Sequence, residues 1–356
     1  MITHLKLNKY YYMKFINLIK NCIPIIQAPM AGGYTPPKLV AAVSNTGAIG
    51  SFGFSYSNPN KINDDLIEVR KLTNKVINSN FFIFPETKVP SHNELEEAID
   101  VLKSLPLNAK YTIPSKPFFP SLDQQLEPIW KHKPQLLTFH FGLPPKYVIE
   151  KAHSYGIFVG VTATSFEEAY EIEKSGSDFV VAQGIEAGGH RGTFNSKAIQ
   201  DKKLSTFELS KILVKECSIP IISAGGIMNG EDIRTFINEG VVAVQMGTAF
   251  LCCDEAGTNK VHRQYILNKK ERNSVFTKNF SGRYARGIDN EFISLMDGKI
   301  ILPFPLQNTL TAPLRKEASK TGNGEYQSFW AGKEFKKARS LPVDILINEL
   351  KSEMNN

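Results

Sequence analysis

Val180-Val181-Ala182-Gln183-Gly184-Ile185-Glu186-Ala187-Gly188-Gly189-His190-Arg191-Gly192 begins as an apolar run of strand type and ends it on the polar amide of Gln183. It then breaks at once into a loop with four glycines around one histidine. A polar side chain at the end of a buried strand, followed by a glycine loop presenting an imidazole, has the form of an active-site edge. Taken alone, the same residues also suit a tight turn with a solvated histidine. The rest of the chain has to decide between the two.

Working outward, short apolar runs alternate with amphipathic stretches from Ile23 to about Phe250. The runs are Pro24 to Ala28, Ala48 to Phe52, Val76 to Phe84, Gln135 to His140, Ile157 to Ala163, Asp178 to Gln183, Pro220 to Ala224 and Val241 to Met246. Between them, helices are expected after Thr35-Pro36-Pro37, with Thr35 as cap, over Asn63 to Leu72, Asn93 to Leu105, Leu122 to Trp130 and Pro145 to Tyr155. Others should start at Ser165, with Glu168 at the capping-box position, at Thr206 and at Glu231. Residues 106 to 121, with Pro106, Pro114, Pro117 and Pro120, read as an inserted loop. Eight runs with intervening crossovers give an α/β chain of the (β/α)8 TIM barrel type, not an open doubly wound sheet.

The expected organisation is an N-terminal leader (1–22), the barrel (23–254), a smaller, partly helical C-terminal lobe (255–332) and a closing helical segment (333–356) that packs on the barrel. The leader reads as loose, and Met13 is a candidate start beside Met1. It has no uninterrupted apolar core or small-residue cleavage site, so it fails as a signal peptide.

At 356 residues, 42% hydrophobic and 22% charged, the composition is that of an ordinary globular protein. The net charge of +7 is scattered, with small clusters at Lys202-Lys203, Lys269-Lys270-Glu271-Arg272 and Lys336-Lys337. No basic run is interleaved with aromatics, so the charge favours anionic ligands and not nucleic acid. Cys22, Cys217, Cys252 and Cys253 form no metal spacing and read as reduced thiols, hence a cytoplasmic chain with no metal. No apolar segment is long enough to span a bilayer.

In a barrel, every strand's C-terminal end points into one shared mouth. That gathers Pro29, Met30 and Ala31 after the first strand with Asn80, His140, Gln183 and His190. It also brings in Gly225-Gly226 after the seventh strand and Gln245-Met246-Gly247-Thr248 after the eighth. Two glycine turns at the last two strands suit a phosphate, because free backbone N–H groups and a helix N-terminus favour an anion there. A phosphate site beside several amides matches flavin mononucleotide, whose ring edges need donors and acceptors. His190, between glycines, is a candidate general base or cationic anchor; His140, between Phe139 and Phe141, is a candidate substrate-pocket histidine. Glu186 is either a second base or a local partner of Arg191.

At this point the chain resembles the nitronate monooxygenase family, formerly called 2-nitropropane dioxygenases. The resemblance rests on Pro24 to Gly32, Val43 to Gly50, Gln183 to Thr193, Ala224 to Ile227 and Gln245 to Leu251. Ser281-Gly282-Arg283-Tyr284-Ala285-Arg286-Gly287 and Trp330-Ala331-Gly332 also match. It implies an FMN-dependent enzyme that oxidises small anionic alkyl nitronates of the propionate 3-nitronate class with O2 to a carbonyl compound and nitrite, as a monomer or homodimer. By the same resemblance, Asn80, Gln183, Gly188, Gly225 and Gln245 to Thr248 are flavin contacts and His190 is catalytic; Gly189 and Gly226, beside them, are further candidate cofactor contacts. A protonated His190 would orient a nitronate, while a neutral one could take the α-proton of a nitroalkane. Family members often carry Tyr-Pro where this chain has Phe304-Pro305 and a lysine near Ala312, a departure that bears on the substrate and not on the flavin. The competing expectations are an FMN-dependent enoyl-acyl-carrier-protein reductase using NAD(P)H, a flavin-binding protein without turnover, and a phosphate-sugar isomerase.

Overall fold

The structure is a computed structural model that describes residues 2–194, 201–268 and 271–356, with side chains from residue 11 onward. Lys269 and Lys270 of the basic cluster, and Met1, lie outside the described residues.

Eight parallel strands form one sheet: Ile25–Gln27, Gly50–Gly53, Ile77–Phe82, Leu136–His140, Phe158–Ala163, Phe179–Gln183, Ile221–Ala224 and Ala243–Met246. Each pairs with its neighbours in chain order, and the first also pairs with the eighth, Ile25 opposite Val244. A bridge from Ile26 to Ile49 joins the first strand to the second, so the sheet closes on itself as a TIM barrel. Residues such as Val159, Val161, Val180 and Ala182 are wholly buried, because helices cover the outside and side chains fill the inside. Gln27, fully buried in the first strand, accepts from the Ser51 N–H at 2.9 Å and so ties the closing strands together.

The strands sit within a residue or two of the apolar runs, and the helices need more correction. The first crossover helix is Pro37–Asn45 with Pro36 at its cap; Thr35 instead accepts from the Gly53 N–H at 3.1 Å, tying the first loop to the second strand. The second begins at Pro59, capped by Asn58, a turn earlier than the apolar pattern suggests. Ser165 does cap its helix, but Glu168 reaches Thr164 and Phe194 instead of closing the box.

Where the sequence reads as a loose leader, the chain forms the helix Ile2–Lys20. Phe15 and Ile19 are buried at the N-terminal end of the barrel, and the Phe15 ring stacks on Phe179 at 4.6 Å between centroids. Covering that apolar end gives the helix a packed face that period counting alone did not reveal.

Residues 255–332 carry the helices Lys260–Asn268, Glu291–Leu295, Leu306–Leu310 and Ala312–Lys320. Their core of Phe280, Phe292, Leu306, Leu310 and Leu314 packs against Ala98, Ile99 and Leu102 of the helix His92–Lys103. Two strands of this region, Ser274–Thr277 and Ala285–Ile288, form an antiparallel sheet whose third member is Gly189–His190. The lobe is therefore hydrogen-bonded directly to the glycine loop of the sixth strand. The final helix, Val343–Asn355, buries Val343, Leu346, Ile347 and Leu350 in the barrel's main core.

Candidate active site

The C-terminal ends of the strands open into a cavity of about 330 Å³, within the usual range for small-molecule sites. Pro29, Met30, Ala31, Asn80, His140, Gln183, Gly188, Gly189, His190, Gly225, Gly226, Gln245, Met246, Gly247 and Thr248 all line it. Parallel strand direction accounts for this, since each contributes the residues at or just beyond one strand end.

One side of the cavity is largely backbone. Gly225 and Gly226 have φ of +126° and +73°, a left-handed region in which a side chain is strained. Close approach explains another glycine: a Cβ on Gly188 would lie 2.5 Å from the Gly332 nitrogen. The loop of the sixth strand and the Trp330-Ala331-Gly332 segment therefore touch backbone to backbone. Thr248 strengthens the contact by accepting from the Gly332 N–H at 2.9 Å.

The amides divide by role. Asn78 is interior, donating to Ser51 and Thr138 within the barrel. Asn80 donates to Thr138 at 3.0 Å and leaves its carbonyl oxygen to the cavity it lines. Gln183 is engaged at both ends with its own loop, donating to the His190 carbonyl at 3.0 Å and accepting from the Gly192 N–H at 2.7 Å. The Gln245 amide has no hydrogen-bond partner among the described residues. Arg191 pairs with Asp201, not with Glu186, and also donates to Thr164 and the Gln183 carbonyl. Glu186 instead accepts from the backbone and hydroxyl of Thr206, both at 2.8 Å, and is not among the residues that line the cavity.

Two histidines meet in the cavity. His140 Nε2 lies 3.1 Å from the His190 carbonyl, and His190 Nε2 lies 2.9 Å from Ser281 Oγ. Burial and the Arg283 charge push His190 down to about 3; burial, offset in part by the bond to the His190 carbonyl, pushes His140 to about 3 as well. Both shifts favour the neutral ring near pH 7, so the geometry suits a neutral His190 better than an imidazolium. The hydroxyl of Ser281 can rotate to serve either neutral tautomer. When it donates to the Arg283 carbonyl, 3.0 Å away, His190 Nε2–H donates to it and Nδ1 is left as a base. When it donates to Nε2, Nδ1–H becomes a donor.

The sequence reading did not place several residues in this site. Phe82, Phe141 and Phe304 form an aromatic cluster around His190, with the Phe304 ring 5.5 Å and the Trp330 ring 5.5 Å from the imidazole. The Arg283 guanidinium covers the Phe141 ring at 4.0 Å and donates to the Arg191 and Thr193 carbonyls. Tyr34, Tyr56, Asn308 and Arg315 complete the outer wall. Ser281 stands 91 residues from its histidine partner. The one sequence signal for it was the SGRYARG pattern, which carried no indication of where it would pack.

A closed parallel barrel with a backbone-rich cavity at its strand ends defines an α/β-barrel enzyme site. The chain belongs to the nitronate monooxygenase family, whose description matches residues 14–353, and is accordingly an oxidoreductase. It is 37% identical over 340 residues to a protein of Staphylococcus aureus (strain JH9) described as "probable nitronate monooxygenase", covering 93% of this chain and 94% of that one. The nitroalkane oxidase from Streptomyces ansochromogenes superposes with a TM-score of 0.85 at 32% identity, over 94% of this chain and 96% of that one. FabK from Thermotoga maritima shares the fold at 24% identity and a TM-score of 0.72, over 96% of each chain.

Proposed function

We propose that the protein oxidises alkyl nitronates with O2 to a carbonyl compound and nitrite, using FMN bound at the strand ends. The observation that carries this reading is the neutral His190, tied to Ser281 and enclosed by Phe82, Phe141, Phe304 and Trp330 beside a glycine-lined wall.

The residues fit FMN. Gly225, Gly226, Gly247 and Thr248 would hold its phosphate, because their backbone lines the cavity without intervening side chains. The unpartnered Gln245 amide and the free carbonyl of Asn80 would meet ring edges, with Met30 and Ala31 alongside. Gln183, already bonded to its loop, would fix His190 and offer only its remaining amide proton. Gly188 and Gly189 would keep side-chain bulk away from the ring. When bound, FMN supplies the acceptance of electrons and the reaction with O2.

The chain's own part is orientation and proton handling. His190 as an Nδ1–H donor orients the oxygen of a nitronate; as an Nδ1 base it takes the α-proton of a neutral nitroalkane. His140 fixes the His190 backbone and walls the substrate space, and the aromatic cluster excludes water from the reacting carbon.

Nitrite release from propionate 3-nitronate tests the proposal. We expect turnover in the wild type, and in His190→Ala a loss of about 10²–10⁴-fold in kcat/KM, the usual worth of a positioned acid or base. Unchanged turnover in that variant would remove His190 from the mechanism. Turnover of an enoyl thioester with NAD(P)H but not of nitronate would replace the reaction.

A further inference from the structure

We infer that Arg315 is the anchor for a second anionic group on the substrate, a carboxylate at the end of the molecule remote from the nitronate, and so selects anionic nitronates over uncharged ones. This inference rests on the reading of the cavity as a nitronate site.

Arg315 lies on the helix Ala312–Lys320 and lines both the main cavity and a second, more open one of about 260 Å³. Tyr34 and Ser328 are shared by the two cavities as well, so the guanidinium stands where one opens toward the other. One terminal nitrogen is fixed by Asn308, donating to its carbonyl at 2.7 Å and its side-chain oxygen at 2.9 Å. The Nε is buried and has no hydrogen-bond partner. Among the described residues, no carboxylate lies within ion-pair distance of this arginine.

A guanidinium without a counter-ion in a substrate cavity is costly unless a ligand supplies the charge. The neighbours do not supply it: burial holds the phenols of Tyr34 and Tyr56 well above the usual range, so both are neutral. The same isolation acts on Arg315 itself, which burial lowers from its ordinary value. A carboxylate fits the guanidinium fork, taking two N–H donors side by side. At the His190 end the Arg283 guanidinium is already engaged with the Phe141 ring and the Arg191 and Thr193 carbonyls, whereas Arg315 keeps its Nε unpartnered, so the cation left for the second charge of a dianionic substrate is Arg315. The glycine turns suited to the FMN phosphate are at the seventh and eighth strand ends, whereas Arg315 belongs to the C-terminal lobe. Ala312 lines the second cavity on the same helix.

Calorimetric titration of the flavin-loaded protein with 3-nitropropionate and with 1-nitropropane tests this without turnover. We expect the wild type to prefer 3-nitropropionate by about tenfold or more, as a charge-assisted bidentate pair would give. Arg315→Gln should bring that ratio close to one, and Arg315→Lys should restore part of it. A ratio unchanged by Arg315→Gln, or equal loss of both ligands in both variants, overturns the assignment. Loss of flavin with the preference intact would move Arg315 to the cofactor and also overturn it. Selective binding without nitrite release from propionate 3-nitronate would instead overturn the proposed reaction and leave the anchor standing.

Discussion

His262 shows what burial does to a titratable side chain in this fold. It is wholly buried, stacked on Phe329 at 4.7 Å and edge-on to Tyr34, and neither ring nitrogen has a partner. Burial pushes it down to about 3, as it does His140 and His190. Each of these histidines is neutral in the folded protein yet gains a proton on unfolding below its unfolded value near 6.5. Between that value and about 3 the unfolded state therefore binds more protons, and stability falls as pH is lowered through this window. Melting temperatures measured from pH 7.5 to 5 should decline, and His262→Phe should flatten the decline. That variant should also melt roughly 2–4 °C higher at pH 5.5, since it removes two unsatisfied buried nitrogens while keeping the ring stack. An equally steep pH dependence in His262→Phe would mean that this ring is not a source of it. At His190 the same shift means that no imidazolium titration should appear in kcat/KM between pH 5 and 8.

The element on which the site depends is the loop from Gly184 to Gly192, held from three directions. Gln183 and Arg191 tie it to the sixth strand, the Ala285–Ile288 strand pairs with Gly189 and His190, and the Trp330-Ala331-Gly332 segment lies against Gly188. In Gly188→Ala the new Cβ would meet backbone 2.5 Å away, where no flexible side chain can yield. The loop or the segment must shift, and His190 with it. We expect about a tenfold or greater fall in kcat/KM, on the scale that small displacements of catalytic groups produce, with the fold retained by circular dichroism. Activity within twofold of wild type would show that the contact does not position the site. The alternation of apolar runs made the barrel and its mouth legible, because parallel strands force their C-terminal ends together. The third support was not legible: pairing between Ala285 and His190 is antiparallel, long-range and only two residues deep on one side. Such a pairing leaves no periodicity in the sequence to read.

At the scale of the whole molecule, the barrel supplies the backbone-rich wall and the C-terminal lobe supplies the cations and rings. All the cavity residues expected from the strand ends came from the barrel half, where topology dictates position. Ser281, Arg283, Phe304, Arg315 and Trp330 come from the lobe, whose irregular elements gave the sequence reading no frame; Ser281, Arg283 and Trp330 stood out only as parts of family-like segments and Phe304 as a departure from the family pattern. The N-terminal helix escaped for a related reason: lysines and tyrosines interrupt its apolar residues in the sequence, and the packing of Phe15 and Ile19 on the barrel end is long-range. The central claim is that this composite cavity passes electrons from a nitronate to FMN. Anaerobic rapid mixing of the FMN-loaded protein with propionate 3-nitronate, and separately with NADH and NADPH, tests it most directly. The account predicts fast loss of the oxidised flavin absorbance with the nitronate and none with the nicotinamides; bleaching by NADH or NADPH but not by the nitronate would contradict it.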